Sequence, residues 1–127
     1  LYPHKNSLGN SDAVQQAYLL NNPPFVREIT EKAEKKGLPE RFSYVQVSDD
    51  RVIAETVKKS EDGRGYVFRL YESTNARVKA RLKFASNVGK LWLCDLMENR
   101  TLALPSENGE AELIFAPYEV KTLIVEE

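Results

Sequence analysis

Few side chains in this sequence could act as a nucleophile, a general base or a metal ligand. Of its 127 residues, one is a histidine and one is a cysteine, His4 and Cys94. Serine or cysteine catalysis normally recruits a histidine base, and a protein zinc site combines several His, Cys or carboxylate ligands. His4 lies in a polar, turn-rich segment, and Cys94 lies in an apolar run that favours a buried, inert thiol. We therefore expect no catalytic residue and no metal site in this chain.

The carboxylates are the other candidates, because glycoside hydrolysis uses two of them on either side of the scissile bond. Glu72, Glu98 and Glu119 stand out because each borders an apolar strand. Glu72 shares a strand face with Phe68, so its carboxylate should be partly buried and should need a partner. Arg69 points to the opposite face, so that partner should come from a neighbouring strand. We interpret such carboxylates as structural ion pairs or as contacts across a domain boundary, not as catalytic groups.

Two further patterns could bind a ligand. Trp92 could stack on a sugar, but its apolar surroundings favour packing in the core. The cations at positions 77, 79, 81 and 83 could bind a polyanion, but they alternate with apolar residues and so are typical of the solvated side of a sheet, facing acidic residues on the next strand. The net charge is -1, so we expect no nucleic-acid partner. No apolar run approaches the ~20 residues that span a bilayer, so we expect no membrane partner.

The elements that position these residues are mainly strands. Residues 77–84 alternate strictly between charged and apolar side chains, which is typical of a half-buried strand. Asn108 and Gly109 form a strong hairpin signal. Residues 25–29 could be a short strand. The charged residues 30–37 fit either an exposed helical turn that Gly37 caps or a polar hairpin, and we favour extended structure with a turn near 36–37. Composition predicts further strands at 42–47, 52–58, 66–72, 88–96, 100–104, 111–115 and 120–125.

One helix precedes the strands. Ser11 is the predicted N-cap of a helix at 12–21, because its hydroxyl can accept a hydrogen bond from a free amide of the first turn. Val14, Ala17 and Tyr18 recur at helical spacing, and two prolines at 23 and 24 end the helix. The predicted fold class is therefore mainly β, an antiparallel β-sandwich with one short N-terminal amphipathic helix.

Length and composition predict one domain. The chain is 42% hydrophobic and 29% charged, which is ordinary for a globular domain of this size. We expect residues 1–127 to form a single domain, with a leading helix segment at 1–24 and strands over 25–127. Because the sequence opens with Leu1, we expect it to be excised from a larger protein. The single cysteine favours a reducing, cytoplasmic location.

Four stretches in chain order resemble the late β region of the family-38 α-mannosidases of bacterial type. Together they cover most of the sequence. They are Tyr2-Pro3-His4 with the helix that ends in Leu20-Asn21-Asn22-Pro23, residues 57–63 followed by 67–72 (K-x-x-E-D … R-L-Y-E), residues 93–99 (D-L-x-E), and residues 115–123 (P-[FY]-E-[IV]-K-T).

The resemblance implies a non-catalytic C-terminal β-sandwich of a metal-dependent, retaining α-mannosidase that hydrolyses terminal α-linked mannose. In that family the nucleophile, the acid/base and zinc, or another divalent metal, lie in an N-terminal α/β domain that a helix bundle follows. No catalytic or metal-binding residue is therefore carried over to this chain. The implied partners are the parent's catalytic and helix-bundle domains, and mannosides through the parent. The candidate docking residues are Arg69, Tyr71, Glu72, Glu98 and Glu119.

Three alternatives stay open. A stand-alone carbohydrate-binding β-sandwich would line a groove with exposed aromatic side chains, such as Tyr66, Tyr71 or Trp92. A domain of a mannosylglycerate-type hydrolase would keep the family and change the substrate. A general protein-interaction domain would expose a large apolar patch.

Overall fold

A computed structural model describes residues 1–28, 39–85 and 88–126 of this chain. The chain divides into two units, Leu1–Phe42 and Ser43–Glu127. In the first unit a 3-10 turn (Leu8–Asn10) precedes helix α1 (Ala13–Asn21). The N-cap is Asp12 and not the predicted Ser11, so the helix begins one residue later than expected. The Ser11 hydroxyl still accepts a hydrogen bond from the Ala13 amide of the first turn, at 3.3 Å.

The first unit departs from the sequence prediction in two further respects. No residue of α1 is buried, and Ala17 of the predicted apolar stripe is exposed. Residues 25–28 form no strand, so the predicted strand at 25–29 is wrong over its described part. The side chains of Phe25 and Val26 are exposed, and no described strand pairs with this segment, so their β propensity is not supported by packing against a described neighbour. Ile29 and the predicted turn at 36–37 lie outside the described residues.

The described part of the second unit contains eight strands, all paired in antiparallel fashion. They are β1 (Val45–Val47), β2 (Val52–Lys59), β3 (Gly65–Glu72), β4 (Val78–Phe84), β5 (Lys90–Cys94), β6 (Arg100–Leu104), β7 (Glu110–Phe115) and β8 (Val120–Glu126). The predicted strand at 42–47 is shorter than expected, because the strand begins only at Val45.

The strands form two sheets, with orders β1-β4-β7 and β2-β3-β8-β5-β6. Their facing sides contribute to one apolar core, in which Phe84 of the small sheet meets Phe68 of the large sheet edge to face at 5.2 Å. Strand β4 alternates between buried and exposed residues over its whole length. The predicted antiparallel β-sandwich with one short N-terminal helix is therefore confirmed.

The turn between Glu107 and Glu110 has the geometry that its sequence predicts. Asn108 and Gly109 both have positive φ, at 52° and 76°, and the two flanking glutamates exchange backbone hydrogen bonds of 2.9 Å. Only residues that tolerate positive φ occupy such a two-residue turn readily. The turn closes the single bridge between Glu107 and Glu110 ahead of β7, but β6 and β7 lie in different sheets, so the predicted hairpin is limited to this turn.

Gly109→Ala should therefore lower the free energy of unfolding by about 1 kcal/mol, because alanine is strained in the left-handed region. Urea unfolding of the purified chain measures this. Asn108→Gly is the matched control, since glycine adopts the same φ freely, and it should cost less. Equal losses for both variants would contradict the assignment of strain to position 109.

Candidate functional site: a loop bridged across the large sheet

The outer face of the large sheet carries a second apolar cluster. Val67 of β3, Ile124 of β8 and Cys94 of β5 are buried there, and Trp92 packs against them. Successive residues of a strand point to opposite faces, and the neighbours of Val67 and Ile124 along their strands belong to the main core. This cluster therefore faces away from the sandwich interior and is covered by something else.

The cover is the connection between β5 and β6, residues 95–99, which we call the bridging loop. The carboxylate of Glu98 lies 2.8 Å from Lys58 Nζ of β2 and accepts a hydrogen bond of 2.8 Å from the Glu61 amide. Arg69 Nη2 of β3 donates to the carbonyl of Leu96 at 3.1 Å. Strands β8 and β3 lie between β5 and β2 in the sheet, so the loop must cross over both.

Internal hydrogen bonds fix the shape of the bridging loop. Asp95 Oδ1 accepts from the amides of Met97 and Asn99, both at 2.9 Å, and its Oδ2 accepts from the Asn99 side chain at 2.8 Å. Glu98 has a φ of 67°, a conformation that costs a non-glycine residue roughly 1–2 kcal/mol. The pKa of Glu98 is lowered, mainly by the ion pair with Lys58 and next by the hydrogen bond from the Glu61 amide. These contacts hold Glu98 in its strained conformation.

A second ionic group lies beside the loop. Arg100 contacts Asp62 at 2.8 Å and Glu126 at 2.6 Å, and its side chain is 18% exposed. Trp92 Nε1 donates to the same Glu126 at 3.1 Å. The pKa of Asp62 is held well below its usual range by hydrogen bonds. The largest effect comes from the Arg64 amide, followed by the Ser60 hydroxyl and the Arg100 guanidinium. This group ties the β2–β3 turn to β6 and β8.

A cavity of about 450 Å³ lies between the bridging loop and the β2–β3 turn. Asp62, Glu98 and Arg100 of its lining are engaged in the contacts above, and the Glu61 carboxylate pairs with Lys58. Within the described part of the chain, no group of three or more His, Cys, Asp or Glu side chains could hold a metal ion. The residues that line the cavity are Glu61, Asp62, Met97, Glu98, Asn99, Arg100 and Ile124.

Glu72 belongs to a separate group, and its partners are not those that the sequence suggests. It is fully buried, and its carboxylate accepts hydrogen bonds from the Thr74 amide at 2.7 Å, the Tyr118 amide at 3.0 Å and the Thr74 hydroxyl. These donors belong to turns, not to a cation on a neighbouring strand, because the end of β3 lies beside the 116–119 turn. Burial raises the pKa of Glu72, but the hydrogen bonds outweigh burial and lower it to about 2.

Glu119 closes the same 116–119 turn. One carboxylate oxygen accepts from the Ala116 amide at 2.8 Å, and the other lies 2.7 Å from Lys121. The carbonyl of Glu119 accepts from the Glu72 amide at 3.1 Å. Glu72 and Glu119 together therefore join the end of β3 to the 116–119 turn at one end of the sandwich.

The comparison with protein families decides the identity. The family model of the glycosyl hydrolases family 38 C-terminal beta sandwich domain matches residues 51–123, which is more than half of the chain. The chain belongs to this family.

Two relatives of this family 38 domain are α-mannosidases. The chain is 32% identical to alpha-mannosidase 2C1 of Mus musculus over 130 residues, which cover 98% of the chain and 12% of the relative. It is 24% identical to alpha-mannosidase G of Dictyostelium discoideum over 127 residues, which cover 96% of the chain and 11% of the relative. The family 38 domain thus spans about one-eighth or less of each of these two proteins.

The five candidate residues fall into distinct places in the family 38 domain. Arg69 and Glu98 both hold the bridging loop. Glu72 and Glu119 meet at the 116–119 turn, and Tyr71 lies on β3 opposite Val120. Sequence reasoning missed Lys58, Asp62, Asp95, Arg100 and Glu126 as members of the bridged surface. In the sequence, these residues are marked only by a position in the family-like motifs or at the end of a strand. Their partners could not be predicted because most of them lie far away in sequence.

The other candidate residues lie where their sequence context predicts. Cys94 is buried, and burial raises the pKa of its thiol, while His4 is exposed. In the cationic stripe, Lys79 and Lys83 lie 2.6 Å and 3.5 Å from glutamates of the adjacent β7, as expected for the solvated side of a sheet. No described helix is long and apolar enough to span a membrane.

Proposed function

We propose that this family 38 domain is a non-catalytic C-terminal part of a larger α-mannosidase that hydrolyses terminal α-linked mannose from glycosides or oligosaccharides. In this role it packs on the catalytic and helix-bundle domains and supports them. The match of residues 51–123 to the C-terminal β-sandwich of the family carries the proposal. Two relatives that are named α-mannosidases and are about eight to nine times longer support it.

The ionic groups of the domain support a scaffolding role. Glu72, Glu98, Glu119, Asp62 and Arg100 are each engaged in hydrogen bonds or ion pairs within the second unit. A general acid or base must instead present its carboxylate to a substrate. In our proposal the zinc, or another divalent metal, and the carboxylates of a retaining mechanism belong to the parent's catalytic domain.

The proposal also covers the organisation of the domain and its location in the cell. We infer that residues 1–127 form one C-terminal domain, in which the helix segment leads into the strands. The single cysteine is buried as a free thiol, which is compatible with a reducing cytoplasm. A substrate of the mannosylglycerate type stays a second candidate within the same family.

A stand-alone carbohydrate-binding module is the less favoured reading. Tyr66, Tyr71 and Trp92 are partly buried, and Trp92 is tied to Glu126. These three rings therefore do not offer the open aromatic platform that such a module would use to stack on a sugar.

Hydrolysis of an aryl α-mannoside tests the proposal. The parent polypeptide should be active, whereas purified residues 1–127 should show only the background rate while unfolding cooperatively in urea. Chelation of divalent metal should abolish the parent's activity and leave the unfolding of residues 1–127 unchanged. Hydrolysis of the aryl α-mannoside by residues 1–127 alone at an enzyme-like rate would contradict the proposal. Titration of mannosides addresses the alternative, because binding tighter than about 1 mM would favour a carbohydrate-binding module.

A further inference from the structure

We propose that Leu96 and Met97 of the bridging loop form an apolar docking knob that inserts into the parent α-mannosidase polypeptide outside residues 1–127. The proposal rests on the proposed function, because it assumes that the domain is part of that longer polypeptide. It adds the place of contact and the chemistry of the partner surface, which is an apolar pocket with a polar edge.

The exposure of the knob is the first observation. Leu96 is 65% exposed and Met97 is 81% exposed, and the two are adjacent in sequence. Single exposed apolar residues are ordinary on a protein surface. Here, however, two large side chains stand together at the top of a loop that itself covers the only described apolar cluster on the outer face of the large sheet.

The rigidity of the loop is the second observation. The Asp95 hydrogen bonds, the Glu98 contacts and the Arg69 bond fix its backbone on both sides of the knob. A flexible loop would allow the two side chains to fold back onto the sheet. A loop whose backbone is already fixed loses less conformational entropy when it binds, so affinity is gained without new contacts.

The surroundings of the knob have the composition of an interface. Met97 lines the 450 Å³ cavity together with Glu61, Glu98 and Arg100, and Lys58 pairs with both of those glutamates. An apolar centre with a charged, partly hydrated edge is the usual anatomy of a protein–protein contact. Arg69 and Glu98 are then positioning residues, which hold the loop and do not themselves enter the partner pocket.

The length of the relatives identifies the occupant. Almost the whole of this chain aligns with 12% and 11% of two α-mannosidases, so a parent of that kind offers a far larger surface in the same molecule. A tethered surface is present at a high effective concentration, which a second copy of this domain is not. Contacts between domains of one chain typically bury about 600–1,500 Å², and a two-residue knob provides their apolar centre.

Oxidation of Met97 tests the proposal directly, because it is the single methionine of this chain. Hydrogen peroxide transfers one oxygen to the thioether sulfur and leaves as water. In the intact parent protein, we expect Met97 to oxidise at least ~10-fold more slowly than in the same protein unfolded in urea, since susceptibility follows exposure. Peptide mass spectrometry measures both rates.

Ile114→Met is the matched control. Ile114 is 50% exposed on the outer side of the small sheet, so the introduced methionine should be protected by no more than about threefold in the parent. Oxidation of Met97 within about threefold of its unfolded rate would overturn the proposal. Protection of Met97 that disappears on hundredfold dilution would also overturn it, because it would indicate a second copy as the occupant.

The double variant Leu96→Ser with Met97→Ser gives an independent measurement. Limited proteolysis of the parent should release the domain several-fold faster, while the urea midpoint of residues 1–127 stays unchanged because both side chains are exposed in this unit. An unchanged release rate would contradict the docking role. Since hydrolysis of mannosides is measured separately, an active parent with an unprotected Met97 would refute the knob and leave the proposed function intact.

Discussion

Replacing Glu72 by alanine should lower the free energy of unfolding of this chain by about 3–5 kcal/mol, because two partly buried backbone amides and a hydroxyl would lose their acceptor. Along the chain, the Thr74 amide is two positions from Glu72 and the Tyr118 amide is 46 positions from it. One carboxylate therefore joins two turns at one end of the sandwich. Urea unfolding followed by circular dichroism measures the loss.

Glu112→Ala is the matched control for this prediction. Glu112 is a half-exposed strand residue that pairs with Lys79 on the surface, and such pairs contribute at most about 1 kcal/mol. If Glu72→Ala abolishes folding altogether, Glu72→Gln keeps the shape and one acceptor oxygen and should fold with a smaller loss. A loss for Glu72→Ala no larger than that for Glu112→Ala would mean that the hydrogen bonds do not hold the turns.

The same residue predicts a pH dependence. The pKa of Glu72 is lowered from 4.5 to about 2 in the folded chain, so the folded state binds its proton less readily than the unfolded state does. The stabilisation is therefore present above pH 4.5 and is lost as the pH falls from 4.5 towards 2. Other carboxylates with a lowered pKa, such as Asp62 and Glu98, contribute to the acid unfolding in the same direction.

The difference between the chain and its Glu72→Gln variant isolates the contribution of Glu72. Their free energies of unfolding should converge as the pH is lowered through this window, because glutamine does not titrate. Curves that stay parallel between pH 5 and 2.5 would show that Glu72 keeps an ordinary pKa in the folded chain.

The second large effect is expected at Gly65. A Cβ added there would lie 2.2 Å from the carbonyl oxygen of Val125 and 3.0 Å from its carbonyl carbon, which are backbone atoms of the paired strand β8. Because these atoms cannot move without separating β3 from β8, Gly65→Ala should cost roughly 3 kcal/mol or more. The measurement is again the urea midpoint of the purified chain.

Gly63 offers a control from the same turn. It has a φ of 72°, and nothing lies within 4 Å of its added Cβ. Gly63→Ala should therefore cost only the strain of the left-handed region, about 1–2 kcal/mol. The two variants separate close strand approach from backbone conformation, and a larger loss at Gly63 than at Gly65 would reverse this assignment.

The candidate site illustrates how far sequence patterns extend. The motifs that resemble the family contain Lys58, Asp95 and Glu98, and they mark the right stretches of chain. They do not reveal that Glu98 reaches Lys58 and the Glu61 amide, 37 positions away. For Glu72, the sequence correctly predicts burial on the face that it shares with Phe68. It also predicts a partner on a neighbouring strand, whereas in the structure the partners are amides of turns.

The sequence by itself determined the elements whose causes are local. The strict alternation of residues 77–84 specifies a strand with one buried face, the Asn108 and Gly109 pair specifies a tight turn, and the prolines after α1 end that helix. Each depends on the φ preference or the polarity of neighbouring residues. Only the tertiary structure decided that β8 lies between β3 and β5. Because of that order, residues 95–99 must cross β8 and β3 for Glu98 to reach Lys58 of β2. A contact between residues so far apart in sequence depends on the order of the strands, which no local pattern specifies.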